Sequence, residues 1–121
     1  MRHARLLTDG GRELARVEVA QTARERARGL LGRSSLPPGH SMWLQPCRCI
    51  HTIGMRFAID VAFLDRDARV VAISERVPSF RLAWGGWRAA GVLEFGAGEV
   101  ARLGIAQGQQ LRLSIEAGSD G

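Results

Sequence analysis

The chain has 121 residues, with 17 arginines, no lysine, 12 acidic residues and a net charge of +5. That length holds one domain around one core, and an apolar content of 45% excludes disorder of the whole chain. No apolar run approaches the ~20 residues of a membrane helix, and the N-terminus MRHARLLTDGG lacks the apolar stretch of a signal peptide.

A cytoplasmic location and no membrane partner are therefore expected. The arginines are spread among acids along the chain. A nucleic-acid binder concentrates them on one element, so no specific nucleic-acid partner is expected. The charge permits weak binding to polyanions and no more.

Residues 4–8 and 13–20 alternate apolar and polar side chains around Asp9-Gly10-Gly11, which predicts an N-terminal β-hairpin. Leu14 followed by Val17 and Val19 breaks the alternation, so a small irregularity is expected in the second strand. Thr22-Ala23-Arg24-Glu25 fits a capping box. The helix it opens should run to about Arg33, burying Ala23, Ala27, Leu30 and Leu31. Pro37-Pro38-Gly39 then enforces a turn.

Short strands are predicted over residues 41–45, 49–53, 58–64, 69–75, 91–95 and 111–115, with a single helical turn over 99–103. In the run Ala58 to Leu64, Ile59, Val61 and Phe63 share one face, and Asp60, Ala62 and Leu64 the other. The segment PSFRLAWGGWRA, residues 78–89, reads as a long surface loop. The tail, residues 118–121, should fray. The sum is a mostly β (α+β) fold. It is an antiparallel, barrel-like or rolled sheet of about seven short strands, with the helix over 22–33 closing one end.

Three blocks resemble a known family. Residues 25–33, ERARGLLGR, look like the "R-x-x-G-L-M-x-R" block of the DUF192 family of small bacterial and archaeal proteins. Residues 50–55, IHTIGM, with residues 59–65, IDVAFLD, look like its "T-x-x-M…I-D-v-x-F-l-D" centre. Residues 92–98, VLEFGAG, followed by Gly104, Ile105 and Gly108, look like its close. The blocks keep their order over about residues 20–113. Leu31 departs from the usual Met, and His51-Thr52 is one of several variants. The resemblance implies a compact β-rich fold with a helix near the N-terminus, and it implies no activity.

Cys47, Cys49 and His51 alternate, so an extended segment puts them on one face. Thiolate and imidazole suit zinc, with His3, His40, Asp60 or Glu94 as a fourth ligand. A flat strand spaces such ligands ~7 Å apart and would need a bulge to gather them. The simpler reading of the same residues is two small buried thiols beside a hydrogen-bonded imidazole. A Cys49–His51 nucleophilic pair, oriented by Asp60 or Glu94, is the enzymatic reading. The two cysteines sit too far apart on one strand for a relaxed disulfide and are expected to be reduced.

Asp60 and Glu94 lie inside apolar strands, where an unpaired carboxylate is costly. Asp60–Arg26 and Glu94–Arg33 ion pairs, tying the helix to the sheet, are the structural expectation. Their rival is a polar ligand pocket. Trp84 and Trp87 either cover a barrel end or form a binding surface, and exposure would favour the second. These features together predict a small domain that binds a small molecule or protein at a polar pocket at the barrel end. It would use His51, Thr52, Asp60, Glu94, Arg26, Arg33, Trp84 and Trp87, without a resident cofactor. The alternative is a thiol- or zinc-dependent enzyme using Cys47, Cys49 and His51, with Asp60 as a further catalytic candidate.

Overall fold

The computed structural model describes residues 2–22, Glu25, Leu30 and 32–116. The strands are β1 (Arg2–Thr8), β2 (Glu13–Ala20), β3 (His40–Leu44), β4 (Cys49–His51), β5 (Ile59–Leu64), β6 (Val70–Val77), β7 (Leu82–Trp84), β8 (Gly91–Gly96) and β9 (Leu111–Ile115). A short helix, α1 (Glu99–Leu103), lies between β8 and β9. Seven strands form one sheet in the order β6-β5-β8-β3-β2-β1-β9, and β4 and β7 form a separate two-stranded ribbon.

The N-terminal hairpin forms as expected, and its irregularity lies where the alternation breaks. Leu6 faces Ala15 and Leu7 faces Glu13, so Leu14 is the extra residue of a bulge. The pairing is antiparallel except between β2 and β3, which run parallel. A parallel pair needs a crossover, and residues 21–39 supply it. The capping box at its start is made: the Glu25 N–H donates to Thr22 Oγ1 at 3.0 Å, and the Gln21 and Thr22 N–H groups donate to Glu25 Oε1 at 2.7 and 3.2 Å. The rest of the helix expected over 22–33, including Arg26, falls largely outside the described residues.

The sheet curls until its edge strands meet at one end. Arg69, just before β6, bridges Gln110, just before β9. The Val70 N–H donates to the Gln109 carbonyl at 2.9 Å, and the Gly108 N–H to the Val70 carbonyl at 2.8 Å. One apolar cluster draws on all seven strands, with Leu6, Val17, Trp43, Leu64, Val70, Phe95 and Leu111 among its members, so it fills the inside of the curl. Val100 and Ile105, in and just after α1, belong to it. A second cluster, with Met42, Val61, Phe63 and Val92, lies on the outer face of β3, β5 and β8, under Ile50 and Ala83 of the ribbon. These central strands are therefore buried on both faces. All six residues of β5 are buried, with the two faces assigned as its alternation predicts.

The loop expected over 78–89 contains a strand, β7. Cys49 faces Trp84, Ile50 faces Ala83 and His51 faces Leu82. Thr52 secures this segment. Its hydroxyl donates to the Pro78 carbonyl at 2.6 Å and accepts the Arg81 N–H at 2.9 Å. Gly85 packs onto the Phe63 ring so closely that a Cβ there would overlap it.

Candidate functional site

The ribbon has two unlike faces. Ile50 and Ala83 point into the outer core cluster. Their neighbours Cys49, His51, Leu82 and Trp84 are exposed on the other face. Leu82 is 74% exposed and Trp84 52%. The adjoining turns add Ile53, Phe80 and Trp87, the last 80% exposed. Trp84 and Trp87 meet edge to face with ring centroids 5.2 Å apart. Among the described residues, five of the six exposed large apolar side chains thus sit on this one element. Monomeric proteins rarely gather apolar side chains on a contiguous outer surface. Residues 46–58 and 78–90, which make the ribbon and its turns, carry Arg48, Arg56, Arg81 and Arg88 and no acidic residue. The element thus combines exposed apolar side chains with four exposed arginines.

The cysteines are not the buried thiols of the structural reading: Cys47 is half-buried and Cys49 exposed. Cys47 Sγ donates to the Cys49 carbonyl at 3.3 Å, and Cys49 Sγ to the Ile50 carbonyl at 3.7 Å. His51 Nδ1 accepts the Ile53 N–H at 3.3 Å. Among the described residues, no three His, Cys, Asp or Glu side chains come together as a metal-ligand group.

Asp60 finds three backbone donors, while Arg26, the partner expected for it, lies outside the described residues. Its Oδ1 accepts the Arg76 N–H at 2.8 Å, and its Oδ2 accepts the Gly98 and Val100 N–H groups, each at 3.0 Å. The β5–β6 register slips between Ile59 and Val61, at Arg76, which has φ +53°. That frees an N–H for the carboxylate. Asp60 faces Phe95 across the sheet, and Glu94 faces Val61. The two carboxylates therefore lie on opposite faces of the sheet, and they do not form the joint pocket with His51 that the sequence suggested.

Arg33 also goes elsewhere. It makes a two-pronged bond to Glu18, Nη1 to Oε2 at 2.7 Å and Nη2 to Oε1 at 2.8 Å, and holds that carboxyl below the usual range. Glu94 is left without it. Its Oε1 is buried with no hydrogen-bond partner among the described residues, and burial pushes the carboxyl up to about 7. Thr52 is fully buried, and its hydroxyl is engaged by the 78–81 loop. Of the residues singled out in the sequence, the structure brings together His51, Trp84, Trp87 and Cys49. Leu82, Phe80 and Ile53 complete that surface, and no local periodicity marked them in the sequence.

Among the described residues, no helix is long and apolar enough to cross a membrane. The sequence model of DUF192, uncharacterized ACR, matches residues 5–113. A crystal structure from Sinorhizobium meliloti 1021, described as a candidate transcription regulator, is 27% identical with a TM-score of 0.80, covering 93% of this chain and 92% of its own. A protein of unknown function from Novosphingobium aromaticivorans DSM 12444 is 25% identical with a TM-score of 0.78, covering 93% and 84%. No curated protein matches the chain.

Proposed function

The chain belongs to the DUF192 family of uncharacterised proteins, and we propose that it is a non-enzymatic binding domain whose outer ribbon face docks an acidic, apolar segment of a protein partner in the cytoplasm. The observation that carries this is the gathering of Ile53, Phe80, Leu82, Trp84 and Trp87, all exposed, within segments holding four arginines and no acid. Protein interfaces have this anatomy: large apolar anchors at the centre, charge at the rim. Complementarity to the arginines selects Asp and Glu in the partner. The exposed Cys49 thiol at the docking face suits a reducing compartment.

A second reading takes the aromatics and arginines as a platform for single-stranded nucleic acid, and the description of the Sinorhizobium meliloti relative favours it. Two features favour protein. Leu82 and Ile53 offer no π-face, and Trp84 and Trp87 stand at 82° to each other rather than as parallel stacking surfaces.

Panning a displayed library of linear peptides against the chain tests the proposal. The expected result is enrichment of apolar anchors flanked by Asp or Glu, lost against a Leu82→Ser/Trp84→Ser variant. Enrichment without acidic residues, or binding indifferent to those substitutions, overturns it. So does oligo-dT binding that weakens steeply with salt while no peptide is enriched. A dimer that the same substitutions dissolve would give the face to a second copy of the chain.

A further inference from the structure

A cleft of about 530 Å³ lies between the turn after β5 and the turn after β7, lined by Arg48, Asp65, Arg66, Asp67, Trp87 and Arg88. Its three arginines are all exposed. Arg48 donates through Nε to the Trp87 carbonyl at 3.1 Å, which fixes the group at the cleft wall. Among the described residues, neither Arg48, Arg66 nor Arg88 is in an ion pair. The Trp87 indole is 80% exposed. The two carboxylates differ. Asp65 Oδ1 accepts the Asp67 and Arg69 N–H groups at 2.9 and 3.0 Å and is spent on its own turn. The Asp67 side chain is exposed and bonded to nothing among the described residues.

We propose that this cleft binds a nucleoside phosphate. Guanidinium forks match phosphate oxygens two at a time. An exposed indole offers a flat surface for a planar base. A free carboxylate accepts the hydroxyl or amino protons of the same ligand, and it disfavours a bare polyanion that has none to give. The volume lies within the ~300–1,000 Å³ of small-molecule sites. The cleft is built without the docking of a partner at Leu82 and Trp84. Trp87 belongs to both surfaces, so a bound base would sit at the edge of the docking face.

Calorimetric titration of the full chain with adenosine monophosphate, guanosine monophosphate, inorganic phosphate and adenosine tests this. A nucleoside monophosphate should bind saturably and about tenfold or more tightly than phosphate or nucleoside alone, since both halves of the site are engaged. Arg66→Ala/Arg88→Ala should weaken it about tenfold or more, with an unchanged melting temperature. Trp87→Ala should reduce its affinity to that of inorganic phosphate. Leu82→Ser, which alters only the docking face, should leave nucleotide affinity intact. No saturable binding at millimolar ligand overturns the proposal. So does equal affinity for phosphate and nucleotide, which marks a simple anion site, or unchanged binding by the double arginine variant, which places the ligand elsewhere.

Discussion

Asp60 and Val100 are joined across 40 residues: the carboxylate of a central strand accepts the backbone N–H of α1 at 3.0 Å. The same oxygen takes the Gly98 N–H, while the other takes that of Arg76 in the bulge of β6. One side chain thus seats the helix whose Val100 enters the inside of the curl, and it fixes the irregular edge of the sheet. The full burial of Asp60 would be costly without these partners. With three charge-assisted bonds it is a structural hub, and the sheet separates it from the ribbon's outer face.

Asp60→Ala should therefore destabilise the chain severely, by about 3 kcal/mol or more, because three N–H groups lose their acceptor. Asp60→Asn should fall between, since its amide retains one acceptor oxygen and turns a donor toward the remaining N–H groups. Urea midpoints of both variants check this. A midpoint for Asp60→Ala within error of the parent would show that water or neighbouring carbonyls replace the carboxylate.

Glu94 predicts a pH dependence of the opposite kind from that of a salt-bridged acid. Burial raises its folded-state value from 4.5 to about 7, so between those pH values the folded chain holds a proton that the unfolded chain has released. Stability from this group is fully present below pH 4.5 and declines as pH rises toward 7, by about 3 kcal/mol in all. Glu94→Gln should flatten that decline and raise stability at pH 8 by about 1–3 kcal/mol. Thermal unfolding of both proteins from pH 4.5 to 8 supplies the comparison. Parallel curves would mean that Glu94 is ionised and paired at neutral pH.

The strand pattern was legible because β5 and β8 are short apolar runs bounded by turns, and because Leu14 visibly breaks the alternation of β2. What escaped was whatever depends on backbone partners distant in sequence. Leu82, Ala83 and Trp84 become a strand only because β4 lies beside them, and three residues among Pro, Gly and Arg carry no period of their own. The parallel pairing of β2 with β3 has no local mark. Asp60 invited a search for an arginine, but its partners are N–H groups, which every residue except proline carries, so no side chain announced them. The ribbon's chemistry was readable as composition, in Trp, Phe and Arg without acids. That it faces outward was not, because exposure follows from which side of the ribbon Ile50 and Ala83 bury.

Gly85→Ala tests how the ribbon is attached to the sheet. A methyl group there overlaps the Phe63 ring, which is itself fully buried and has little room to yield. The expected cost is about 1–3 kcal/mol, as for other overpacked sites. Trp84 and Trp87 emission should shift as the turn moves. Hydrogen exchange should rise at the Gly85 N–H, which donates to the Arg48 carbonyl at 2.7 Å. Unchanged stability would mean that the turn swings away from Phe63 without loss.

Cys49→Ala, His51→Ala and Leu82→Ser distinguish a surface made for a partner from a cluster made for folding. All three positions are exposed on the outer face of the ribbon. Each substitution should change stability by no more than about 0.5 kcal/mol, because burial on this element belongs to Ile50 and Ala83 on the other side. Binding should separate them. Leu82→Ser removes an apolar anchor at the centre of the face and should weaken a selected peptide by about tenfold, the range of a moderate hot spot. Cys49→Ala and His51→Ala change smaller or polar neighbours and should weaken it less. A loss of stability in Cys49→Ala or His51→Ala would return these residues to a structural role. A loss of some catalytic turnover without loss of folding or peptide binding would move the chemistry to the thiol and imidazole instead.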